Sequence, residues 1–124
     1  MLVKYTTQLV KESSVNYRVC DVAASRPDTV AKVFAEGLDL EHKLQEEFWV
    51  LMLNAKLKTI GASMISRGGL TGSSAAAREV FRPAIVAGAY AIIMAHNHPS
   101  GDPTPSAEDL QGTRQLDEAG RILG

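Results

Sequence analysis

The stretch HNHPSGDPTPSAED, from His96 to Asp109, follows the apolar run 89–95 and decides how the chain is interpreted. It places two imidazoles, three hydroxyls and three carboxylates in one short polar segment. Because side chains alternate along an extended chain, His96 and His98 project to the same side. Imidazoles and a carboxylate that leave one position for water are typical of a catalytic zinc site. The segment therefore predicts a metal site.

The third ligand is expected to be a carboxylate from the same segment. Asp109 is favoured because it lies in the first turn of a helix predicted to start at Ser106, next to a strand end where α/β proteins bind ligands. Asp102 is the rival, although its place between Gly101 and Pro103 is typical of a turn residue. Ser106 and Asp109 also have the spacing of a capping box, in which both side chains satisfy free backbone amides.

The amino-acid composition limits the classes of protein to which this chain can belong. The 124 residues are 45% hydrophobic and 22% charged, as in an ordinary single globular domain. Thirteen basic and fourteen acidic residues leave a net charge of −1, which gives no overall basic field for binding nucleic acid. Cys20 is the only cysteine, and no secretory or membrane-spanning pattern is present. We expect a cytoplasmic protein with no membrane contact.

The N-terminal part, residues 1–40, is predicted to contain strands and a helix. Residues 1–22 suggest two strands joined by a turn, or an arm packed on the main body. Asp28 is the predicted N-cap of a helix that Gly37 ends. Residues 41–124 form the motif-bearing core of the same single domain.

In this core, Phe48–Leu53 is a continuous apolar run that predicts a central buried strand. A hairpin loop over Asn54–Lys58 and a partner strand over Thr59–Ser66 follow. A helix is predicted from Arg78 to about Ala87, capped by Gly88; its inward residues are Val80, Phe81, Ala84 and Ile85, and Pro83 is a defect in it. A strand over 89–95 and a helix over 106–119 complete the pattern. Alternating strands and helices predict an α/β layered sandwich.

The motif His96-x-His98, seven residues, then Ser106-x-x-Asp109 resembles the metal motif of the JAMM (MPN-plus, or JAB) metalloprotease family. The full string from His96 to Ser106 is similar to the RadC-like branch of that family. The resemblance extends upstream through 45–54, 65–69 and 78–81, and it covers roughly residues 40–124.

The resemblance implies a three-layer α/β/α sandwich of the cytidine-deaminase-like JAB/MPN type, with a mixed sheet. It implies that Zn2+ is held by His96, His98 and Asp109, with a water completing the coordination.

In the family, a glutamate from an earlier strand polarises that water, and the branch pattern implies Glu46 in this role. Glu47 is the neighbouring alternative, and strand alternation allows only one of the two to face the metal. Ser106 is implied to hydrogen-bond the oxyanion as the tetrahedral intermediate forms.

The expected function is that of a zinc-dependent hydrolase of an amide or isopeptide bond, linked to DNA repair, acting on a peptide or other amide substrate. The alternative is a non-catalytic binding module of DNA repair or recombination on the same fold. Two departures from the family pattern stand out, because Ala77 replaces the usual proline and the chain ends at Gly124 without a further strand. An exposed sheet edge would favour a homodimer, strand swapping or instability.

Overall fold

The computed structural model describes residues 1–13, 27–67, 76–97 and 107–124. Its α-helices are α1 (Pro27–Lys32), α2 (Ala77–Ala87) and α3 (Ala107–Leu123). Its strands are β1 (Glu47–Leu53), β2 (Thr59–Arg67) and β3 (Ala91–His96). No helix in these ranges is long and apolar enough to cross a membrane.

Strand β1 is the middle strand of the sheet, whose order is β2-β1-β3. Its sequence is apolar from Phe48 to Leu53, and Leu51 is only 1% exposed. A strand covered on one face shows an alternating pattern, whereas a strand covered on both faces is apolar throughout. The predicted central buried strand is confirmed.

Two apolar clusters cover the two faces of the sheet, because successive side chains of β1 point to opposite sides. One cluster joins β1 to the helical segment that precedes it, and its buried members are Val33, Phe34, Leu40, Leu51 and Leu53. The other joins β1 to α2 and α3, and its buried members are Val50, Met52, Val80, Ala84 and Leu116. The described residues thus form a small α/β unit.

The sheet is antiparallel at each pairing that the structure describes, β1 with β2 and β1 with β3. Strands β2 and β3 run in the same direction, but β1 separates them, so they form no parallel pair. The mixed sheet that the family resemblance implies is therefore not seen within these three strands.

Helix α1 begins at Pro27, one residue before the predicted cap Asp28, since proline is well suited to a first helical position. It continues as a π-helix, Val33–Gly37, where the Leu38 amide donates to the Val33 carbonyl at 3.1 Å. The predicted end at Gly37 is confirmed.

The hairpin between β1 and β2 has the predicted boundaries. The Asn54 side-chain oxygen accepts from the Lys56 and Lys58 amides at 2.9 and 3.0 Å. Leu57 adopts a φ of 60°, and its amide donates to the Asn54 carbonyl. Asn54 therefore closes the loop, which sets the register of β2.

Helix α2 runs without interruption through Pro83 and ends at Ala87, where Gly88 with a φ of 68° forms the predicted cap. Val80 and Ala84 are buried, but Ile85 is 62% exposed, so its predicted inward position is wrong. Ile85 lies about 140° around the helix from Val80, outside the face that packs on the sheet. Helix α3 extends to Leu123, four residues beyond its predicted end.

The N-terminal residues 1–13 contain no helix or strand, so the strands predicted there are not formed within this range. These residues are exposed, and a strand needs a neighbouring strand to satisfy its backbone groups. Thr7 and Leu9 line a surface groove with Met64 of β2 and Arg82 of α2, which is consistent with the predicted arm. Residues 14–22, with Cys20, lie outside the described ranges.

We expect Leu51→Ala to lower the free energy of unfolding by about 2–5 kcal/mol, because it leaves a cavity in the core. Leu44 is 95% exposed, and the same change there should cost less than about 0.5 kcal/mol. Urea unfolding of both variants measures the contrast. Equal losses would contradict the burial of β1.

Candidate functional site

The amino end of β1 lies beside the carboxyl end of β3, and the predicted residues Glu46 and His96 meet there. The antiparallel register pairs Phe48 with His96, so the residue before β1 comes next to the last residue of β3. His96 Nδ1 lies 3.6 Å from Glu46 Oε1. The His96 side chain is 27% exposed and that of Glu46 is 39% exposed. Both groups are therefore accessible to solvent.

The ring of His96 is oriented by Phe48. The two rings meet edge to face, with centroids 6.3 Å apart and an interplanar angle of 81°. Directly opposed residues of paired strands share one face of the sheet. Phe48 packs with the cluster that contains Leu116 of α3. His96 consequently lies on the face that α3 covers.

Asp109 lies in the first turn of α3. Seven residues, about two helical turns, separate it from Leu116, so both positions lie on the same stripe of the helix. Leu116 is buried against the sheet. The backbone position of Asp109 is thus on the sheet-facing side of α3, on the same face of the sheet as His96; its side chain lies outside the described part.

Glu47 is held away from the Glu46 site. It is 3% exposed, its Oε1 accepts from Trp49 Nε1 at 2.8 Å, and its Oε2 lies 3.3 Å from Arg67 Nε. Trp49 packs with the cluster on the opposite face of the sheet from Phe48. Of the two neighbouring glutamates, Glu46 is the one beside His96, and Glu47 connects β1 to β2.

Asn97 holds the backbone on both sides of Glu46, and the sequence did not indicate this contact. Its Oδ1 accepts from the Glu47 amide at 2.6 Å, and its Nδ2 donates to the Gln45 carbonyl at 3.0 Å. A longer bond of 3.5 Å reaches the Lys43 carbonyl. The only indication in the sequence was that Asn97 is a polar residue between the two predicted ligands His96 and His98, at the end of a strand. The partners, some fifty residues upstream, could not be read from it.

The remaining predicted site residues, His98, Ser106 and the rival ligand Asp102, lie outside the described ranges. Within those ranges, no three His, Cys, Asp or Glu side chains come together as a metal site. The ligand set of His96, His98 and Asp109 stays a prediction. The described pair fits a catalytic zinc site, because the His96 imidazole can serve as a ligand while the neighbouring Glu46 carboxylate, also within reach of solvent, can act on a bound water.

Comparison with known proteins identifies related sequences. The family model of the RadC-like JAB domain matches residues 24–124. UPF0758 protein STH371 of Symbiobacterium thermophilum is 52% identical over 85 residues, which are 68% of this chain and 36% of that protein. UPF0758 protein TTE0897 of Caldanaerobacter subterraneus subsp. tengcongensis is 46% identical over 102 residues, 82% of this chain and 43% of that protein.

A UPF0758 protein of Alkaliphilus metalliredigens is 41% identical over 117 residues, 94% of this chain and 50% of that protein. This chain therefore spans half the length, or less, of these curated relatives.

The two neighbouring glutamates should differ in their effect on stability. In Glu47→Gln the amide offers one oxygen, so either Trp49 or Arg67 faces an NH2 group, and we expect a loss of about 1–3 kcal/mol. Glu46→Gln should change the free energy of unfolding by less than about 0.5 kcal/mol, because its side chain is partly solvated. Urea unfolding measures both. A larger loss in Glu46→Gln would contradict the assigned positions.

Proposed function

Because this chain belongs to the RadC-like JAB domain family, we propose that it is a zinc-dependent hydrolase of an amide or isopeptide bond. The observation that carries the proposal is the 3.6 Å approach of Glu46 to His96. Fifty residues separate the two in sequence, and the strand register brings a carboxylate and an imidazole together in a solvent-accessible place.

The proposed complete fold is the three-layer α/β/α sandwich with a mixed sheet. Apolar clusters on both faces of the sheet support it, since each needs a covering layer. The mixed character would require a parallel strand outside the three described here.

His96, His98 and Asp109 are the proposed zinc ligands. Zinc bound there would lower the pKa of a coordinated water towards about 7 and polarise a substrate carbonyl. The position of Asp109 on the sheet-facing stripe of α3 supports this set, because α3 and His96 share one face of the sheet.

Glu46 is the proposed general base. Its carboxylate accepts a proton from the attacking water and passes that proton to the leaving amine. Ser106 donates a hydrogen bond to the oxyanion of the tetrahedral intermediate. Glu47 takes no part in the chemistry, because Trp49 and Arg67 engage both of its oxygens.

A link to DNA repair, either of this hydrolase or of a non-catalytic module on the same fold, is the second part of the proposal. The net charge of −1 makes direct binding to DNA weak. A titration with duplex DNA at low salt tests whether the chain binds DNA. No detectable binding would argue against the non-catalytic module.

The single cysteine, Cys20, supports a cytoplasmic setting, because it cannot form a disulfide within the chain.

Reconstituted protein should hold about one zinc ion per chain, as a three-ligand catalytic site requires. His96→Ala, His98→Ala and Asp109→Ala should each lose the metal. His42→Ala provides the matched control, because His42 is an exposed partner of Asp39. Mass-spectrometric metal analysis after desalting measures the ratio. Zinc absent from the wild-type chain after reconstitution would contradict the proposal.

Glu46→Gln should retain zinc and lose hydrolysis by about 10²–10⁴-fold, because it removes the base and leaves the ligands intact. Cleavage of a proteome-derived peptide library, scored by mass spectrometry, measures the rate. Glu118→Gln, an exposed position on α3, is the matched control and should retain full activity. Equal rates in wild type and Glu46→Gln would rule out Glu46 as the base.

A further inference from the structure

We propose that Asn97 is a positioning residue that holds the backbone on both sides of Glu46 and so keeps the Glu46 carboxylate beside His96. The inference rests on the proposed function, in which Glu46 is the general base. Asn97 fixes the position of Glu46 and does not itself react.

Glu46 lies in a segment that needs such support. Residues 43–46 connect a short 3-10 helix, Leu40–His42, to the start of β1, and they belong to neither element. A strand ladder does not fix their backbone. The conformation there depends on local hydrogen bonds, and Asn97 makes bonds both before and after Glu46.

The carboxamide uses both of its halves. Its oxygen accepts from the Glu47 amide, and its NH2 group donates to the Gln45 carbonyl. A flipped amide would set NH2 against N–H and oxygen against carbonyl, so one orientation satisfies both contacts. Asn97 is 9% exposed, and water competes little for these bonds. The contact therefore restrains Gln45 and Glu47 together.

His96 and Asn97 are adjacent in sequence but have different roles. His96 is the last residue of β3, and its ring lies beside the Glu46 carboxylate. The side chain of Asn97, the next residue, instead binds the Gln45 carbonyl and the Glu47 amide, on either side of Glu46. His96 is thus a proposed metal ligand, and Asn97 keeps the proposed base, Glu46, at a constant distance from it.

Two variants test the inference in the full chain. Asn97→Ala removes all of these bonds, and Asn97→Asp keeps the acceptor for the Glu47 amide but loses the donor to Gln45. Asn54→Ala is the matched control, because Asn54 also binds two backbone amides, at the opposite end of β1.

The first readout needs neither metal nor substrate. In the metal-free chain, Asn97→Ala should abolish the nuclear Overhauser contact between the His96 ring and the Glu46 side chain. Exchange of the Glu47 amide should become roughly tenfold faster. The Trp49 indole proton, held by Glu47, should keep its chemical shift. A general loss of stability would instead change the Trp49 indole shift together with the Glu46–His96 contact and the Glu47 amide exchange. An unchanged Glu46–His96 contact would overturn the inference.

The second readout is the rate with the zinc-loaded chain and the peptide library. Asn97→Ala should keep its zinc and lose up to about 100-fold in rate. Asn97→Asp should not restore the rate, because it sets a carboxylate oxygen against the Gln45 carbonyl. In the Glu46→Gln background the same substitution should cause no further loss, because it acts through Glu46. An equal loss in both backgrounds would overturn the inference. If the wild-type chain cleaves no peptide, the proposed hydrolysis of peptides fails, and the first readout alone decides the role of Asn97.

Discussion

The antiparallel register that pairs Phe48 of β1 with His96 of β3 determines where the described site residues lie. Burial of β1 on both faces maintains this register, because a slip by one residue would turn each side chain of the strand to the opposite cluster. The register brings Glu46 to His96 and Glu47 to Asn97. The site thus depends on how the core packs around β1.

At this end of the sheet, buried polar side chains and partly exposed ones occupy neighbouring positions. Glu47 and Asn97 are buried, with their polar atoms engaged by Trp49, Arg67 and backbone groups. Glu46 and His96 are partly exposed and lie within 3.6 Å of each other. Buried carboxylates and amides need complete hydrogen bonding, whereas the proposed base and metal ligand need access to solvent. Adjacent residues meet the two requirements, at positions 46 and 47 before and in β1 and at positions 96 and 97 at the end of β3.

The parts that could be predicted from sequence are those governed by local periodicity and turn chemistry. Continuous apolarity predicted β1, and Gly37 and Gly88 predicted two helix ends. The motif from His96 to Asp109 indicated the family. What could not be predicted depends on contacts between distant segments: the N-terminal residues without strands and the bonds of Asn97. Which of Glu46 and Glu47 lies beside His96 was equally open, because it depends on the contacts of Glu47 with Trp49 and Arg67.

Anomalous diffraction at the zinc edge, from crystals of the zinc-loaded chain, tests the central claim most directly. We predict one zinc peak at about 2.0–2.2 Å from donor atoms of His96, His98 and Asp109. The Glu46 carboxylate should lie about 2.6–3.2 Å from a water at that site and should not bind the metal itself. A zinc ion bound elsewhere, or coordinated directly by Glu46, would contradict the account.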